Sequence, residues 1–134
     1  VGILGKLVEE HHDVLQNIEA VILNVHRTDP DLLDYDVDGA LEALVADYTA
    51  EQRGTTPREH RLDGARARVY RAVRGVCEWR LGRDTINGEY LEEADRETPE
   101  IIISCLKKLR RSLRRWNSEG GRQGYLRLIA QYIP

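Results

Sequence analysis

The stretch from Gly2 to His26 reads Gly-Ile-Leu-Gly-Lys-Leu-Val-Glu-Glu-His-His-Asp-Val-Leu-Gln-Asn-Ile-Glu-Ala-Val-Ile-Leu-Asn-Val-His. Within it Leu4, Leu7, His11, Val14, Ile18, Val21 and Val25 recur at alternating steps of three and four, and Val8, Leu15 and Ile22 widen the seam to one side. That is the apolar stripe of a helix packed on a globular core. One helix is therefore expected over 2–26. It should stop at Thr28-Asp29-Pro30, because proline disfavours the helical conformation in the residue before it.

The same period continues along the chain. A second helix is expected from about Asp36 to Arg53, with Asp34 or Asp36 as its cap, Val37, Leu41, Leu44, Val45 and Tyr48 facing inward, and Gly54 as its stop. Thr56-Pro57 reads as a cap followed by the first helical residue. The third helix is expected from Pro57 to about Leu81, closed by Gly82 and weakened locally by Gly64 and Gly75. Residues 83–98 are irregular, with a turn at Asn87-Gly88 and a short polar helix over Tyr90–Glu97. Thr98-Pro99-Glu100 repeats the start signal and opens a fourth helix through Ile102, Cys105, Leu106, Leu109, Leu113 and Trp116, ended by Gly120-Gly121. A last short helix covers about 122–132. No alternating run competes as a strand and no repeat is evident. The expected fold is all-α: one domain over 1–134, four main helices plus a short C-terminal helix.

Composition narrows the function classes. The chain has 134 residues, of which 41% are hydrophobic and 32% charged, enough apolar content for a core and too much for disorder. No apolar run approaches the ~18 residues of a membrane span, and no secretory signal is legible at the start. Cys77 and Cys105 show neither metal spacing nor a paired redox motif, so both are expected as buried, reduced thiols in a cytoplasmic protein.

The net charge of −3 conceals a polarised chain: residues 1–60 carry 13 acids and four bases, and residues 61–134 carry 16 bases and ten acids. The basic excess gathers at Lys107, Lys108, Arg110, Arg111, Arg114 and Arg115 and continues through Arg122 and Arg127 past the Gly-Gly corner. Such a face could hold an anion or a nucleic acid, with Trp116 or Tyr125 stacking on a base. Cations near a helix C-terminus also suit its dipole, and an acidic first half could neutralise them inside the fold.

Metal chemistry finds little support. Asp34-Tyr35-Asp36-Val37-Asp38-Gly39 matches the first half of a calcium loop, but Val45 stands where a bidentate glutamate must close the shell. Glu9 and His12 have the spacing of a di-iron ligand pair but lie off the apolar seam, and no second pair exists. Neither a metal nor a cofactor is expected. Ordered nucleophile, base and orienting signatures are absent, so no catalytic residue is assigned, and neither a membrane contact nor a small-molecule substrate is identifiable. His11 and Arg80 fall on inner stripes and are expected as buried structural polar groups, Arg80 paired with an acid of the first half. The expected function is that of a small bacterial-type interaction or assembly module, acting as a homo-oligomer or with a protein partner. Anion or nucleic-acid binding by the basic face of the helix at about 99–118 and the Gly-Gly-Arg corner that follows it is the alternative.

Overall fold

The computed structural model describes residues 11–120 and 124–132, without the side chains of 116–120 and 132. The expected seam positions Leu4, Leu7 and Val8, the Glu9 half of the spaced pair, the Trp116 ring and Arg122 lie outside the described residues. The architecture is a helical bundle: α1 (His12–Thr28), α2 (Asp34–Gln52), α3 (Gly64–Arg80), α4 (Pro99–Gly120) and the short α5 (Gly124–Tyr132), with a 3₁₀ turn at Glu93–Asp95. α2 lies between α3 and α4, α1 packs on α3, and α5 closes the bundle between α4 and α1. Side chains from all five helices meet in one hydrophobic cluster.

On α1 the buried positions are Val14, Leu15, Ile18, Glu19, Ile22 and Leu23, while Val21 and Val25 are half-buried. The seam has rotated toward its widened side because an ideal helix turns every 3.6 residues, and a strict three-four alternation drifts around it. His11 is a correction. It is the N-cap of α1, takes φ 54°, and is exposed rather than buried. A residue in the left-handed region does not continue the helical stripe that follows it.

The third helix starts later than expected, at Gly64 instead of Pro57. Gly64 has φ 55°, and a right-handed helix cannot run through a left-handed residue. Residues 55–63 instead form an irregular strap beside α2 and α3. The fourth helix begins at Pro99 as its cap signal implies, with the Thr98 carbonyl accepting from the Ile101 and Ile102 amides at 3.1 Å each. The polar segment 90–97 forms only the 3₁₀ turn.

Asp34 does more than open α2. It is buried, and its carboxylate accepts from the Tyr125 amide at 3.0 Å and the Leu126 amide at 3.3 Å. It thus caps the first turn of α5 from the far side of the bundle, supplying the acceptor that helix N–H groups lack. Asp36 serves α2 itself, accepting from the Leu33 amide at 3.3 Å. The buried Tyr125 hydroxyl donates to Glu19 at 2.6 Å, which ties α5 to α1. Desolvation pushes Glu19 up to about 7, against the pull of the Tyr125 hydrogen bond, and also raises Asp34.

Candidate functional site

Charge organises the surface around α2, which carries six acids and no base. Its two neighbours are basic. α3 contributes Arg66, Arg68, Arg71, Arg74 and Arg80, and α4 the six cations between Lys107 and Arg115. Toward α4, the Arg110 guanidinium donates to Asp38 at 3.0 Å and lies 3.5 Å from Glu42, with only 17% of its side chain exposed. Arg114 lies 3.8 Å from the same Asp38. Lys107 and Arg111 are exposed and share a shallow cavity of about 330 Å³ with Gln52 and Glu100. The expected basic face is therefore divided. Arg110 joins the fold, whereas Lys107, Arg111, Arg114 and Arg115 are open to solvent, and Lys108 is half-buried.

The Tyr125 ring, offered as a stacking platform, is fully buried against Glu19. The acids of the half calcium loop disperse along a helix. Asp34 turns to α5, Asp36 to Leu33 and Arg66, and Asp38 to Arg110. Among the described residues no group of three or more metal-ligating side chains comes together.

Toward α3 a different arrangement appears, and the sequence spacing does not announce it. The strap at 55–62 stands off α2 and α3 and leaves a cleft of about 650 Å³. His60 Nε2 lies 2.7 Å from Asp47 Oδ1, and the Tyr70 hydroxyl donates to Asp47 Oδ2. Arg74 donates to the Tyr70 oxygen at 2.8 Å and lies 4.0 Å from Asp47. A second network runs beside the first. Tyr48 donates to Glu78 at 2.7 Å, and Arg83 grips both oxygens of Glu51 at 2.6 and 3.1 Å. Burial and the Asp47 contact raise the Tyr70 phenol, and burial raises Tyr48 far more. Both phenols stay protonated as donors. The only early signal was the run of arginines in 58–83, with eight bases against three acids. Its partners come from α2 and the strap, which no local pattern connects.

The irregular segment 83–98 is ordered from below. Asn87 and Gly88 take φ 55° and 80°, and Ile86 and Glu89 exchange backbone hydrogen bonds at 3.0 and 3.1 Å, the geometry of a tight I′ turn. Arg80 is buried, as expected, but its partner differs from the acid of the first half assigned to it. Its guanidinium donates to Glu97 at 3.1 Å and to the Asp95 carbonyl at 3.3 Å, because the returning chain packs over the end of α3. The Arg96 side chain lies over Gly82, where φ is 76° and a Cβ would collide with it. Held this way, the projection leaves Tyr90 61% and Ile86 38% exposed.

Cys77 and Cys105 are both buried and form no disulfide, and desolvation pushes the Cys77 thiol up to about 12, which makes it inert rather than nucleophilic. No helix among the described residues is long and apolar enough to cross a membrane. Compared with family models, curated proteins and solved structures, the chain matches none.

Proposed function

We propose that this chain is a protein-interaction or assembly module that self-associates through the 83–98 projection. The observation that carries the reading is the exposure of Tyr90 and Ile86 on a segment pinned by Arg80, Arg96 and a tight turn. Large apolar side chains on a preorganised loop can be buried against a partner with little ordering cost. Tyrosine in particular supplies contact area with few rotatable bonds. A cytoplasmic setting belongs to the same proposal and is supported by two buried cysteines that form no disulfide. Mass measured from low to high micromolar concentration tests it. Wild type should shift toward a dimer and Ile86→Ser/Tyr90→Ser should remain monomeric. A wild type that stays monomeric at several hundred micromolar, on the order of the weakest stable contacts, removes the reading.

The alternative, nucleic-acid binding, is supported by the exposed cations Lys107, Arg111 and Arg114 on α4. Its test is low-salt binding of duplex and single-stranded probes to wild type and to a Lys107→Glu/Arg111→Glu variant. Arg110 is left intact because it pairs with Asp38 and Glu42. Absence of salt-dependent binding sinks it.

A further inference from the structure

We propose that the cleft between α2, α3 and the strap binds a small organic anion, a phosphate or carboxylate head on an apolar or planar body. The proposal rests on which groups there are already engaged and which are not. Asp47 is held by His60 and Tyr70, Glu78 accepts from Tyr48, and Glu51 is gripped by Arg83. These carboxylates have donors of their own and do not need the ligand.

Capacity remains on the cationic side. Arg74 uses one terminal nitrogen on the Tyr70 oxygen and is about half exposed, leaving the rest of its fork for another acceptor. Arg58 lines the same cleft from the strap and is exposed. His60 donates from Nε2 to Asp47, and its ring lines the cleft, where it reports on what binds. An anion taken by two guanidinium groups gains charge-assisted hydrogen bonds, and the arginine fork matches both phosphate and carboxylate. Leu44, Pro57 and Leu62 supply an apolar wall for the body of the ligand. A pocket that is largely apolar with a few convergent polar groups is the usual form of a small-molecule site. Glu59 also lines the cleft and opposes an anion there, which gives the proposal a second, opposite test.

Phenyl phosphate and benzoate are the probes, titrated separately at neutral pH while the His60 ring signals are followed by NMR and assigned with His60→Gln. At least one probe should shift those signals. Response to phenyl phosphate alone identifies a phosphate ligand, and response to benzoate alone a carboxylate. Arg58→Gln/Arg74→Gln should weaken binding by about tenfold or more, since each lost charge-assisted bond is worth that order. Glu59→Gln should tighten it, and Lys107→Gln/Arg111→Gln on α4 should leave it unchanged. If the double variant does not fold, Arg58→Gln alone, exposed on the strap, must still weaken binding severalfold. No shift with either probe up to about 10 mM, where even millimolar sites saturate, overturns the proposal. So does binding indifferent to Arg58 and Arg74, or weakened equally by the α4 variant. None of these readouts involves Tyr90 or Ile86, so failure here leaves the self-association reading standing, and the reverse holds.

Discussion

On its α4 side, α2 offers Asp38 and Glu42 to Arg110 above a packed seam that includes Leu41, Leu106 and Leu109. On its α3 side it offers Asp36, Asp47 and Glu51 to Arg66, Arg74 and Arg83, and there the strap leaves a cleft open. Both flanks pair acidic α2 with arginines of the second half, so part of the opposite charge of the two chain halves meets across α2. The outcomes differ because α4 closes directly on α2, whereas Gly64 delays α3 and sends residues 55–63 over the gap. Ion pairs at a closed seam act as structure. Those lining a cleft leave hydrogen-bonding capacity facing solvent.

Beyond the open flank, the 83–98 projection depends most on Arg80, which anchors the returning chain at the end of α3. Arg80→Ala should cost about 3 kcal/mol by denaturant unfolding, because it leaves Glu97 without its cation and a cavity in its place. Arg80→Met, which fills the volume, should recover part of that loss. A variant as stable as wild type would show that the projection does not need its anchor.

Acid–base linkage tests the buried contact where α5 meets α1, away from both flanks of α2. Glu19 rises from 4.5 to about 7 on folding, so the folded chain holds a proton that the unfolded chain releases. The contribution of this group is therefore fullest below about pH 4.5, declines up to about pH 7 and stays low above it. The swing is roughly 3 kcal/mol at most. Glu19→Gln should match wild type near pH 4.5 and exceed it at about pH 8, measured by urea midpoints. Parallel pH profiles for the two proteins would place the titration elsewhere.

Asp34→Ala removes the acceptor from two buried amides of α5 and should cost about 2–3 kcal/mol. Hydrogen exchange should quicken first over 124–132. Protection lost uniformly instead would mean that α5 does not come away as a unit.

The smallest effects make the sharpest comparison of the flanks. Arg110→Ala should cost about 1–2 kcal/mol, because its pair with Asp38 is mostly shielded. Arg83→Ala should cost less than about 1 kcal/mol, because both it and Glu51 are well exposed. Raising the salt should erase the second effect and spare most of the first. Equal losses would remove the distinction between a closed and an open flank.

Much of the helix arrangement could be read locally. Thr98-Pro99 starts α4, Gly54 and Gly82 take positive φ where α2 and α3 end, and Asn87-Gly88 makes its turn. These signals act within a few residues, through sterics and the unpaired amides of a helix end. Thr56-Pro57 failed because a start signal is only permission. The left-handed Gly64 and the contact of His60 with Asp47 took the segment elsewhere. His11 failed because a stripe of residue types does not reveal backbone conformation, and φ 54° takes His11 off the helical path.

The candidate cleft was not legible for a related reason. Asp47 and Tyr70 are 23 residues apart, and neither position differs from an ordinary helix surface until α2 and α3 pack. Asp34 is the clearest case. Its type and place announced a helix cap, yet the helix it caps begins about 90 residues later. The sequence by itself determined the helices, the apolar faces and the polarity of the two halves, because periodicity and capping are properties of neighbouring residues. Which acid meets which arginine, and whether that pair closes a seam or lines a cleft, was decided only when α2 came to lie between α3 and α4. Electrostatic partners are chosen by distance in space, and spacing along the chain does not contain it.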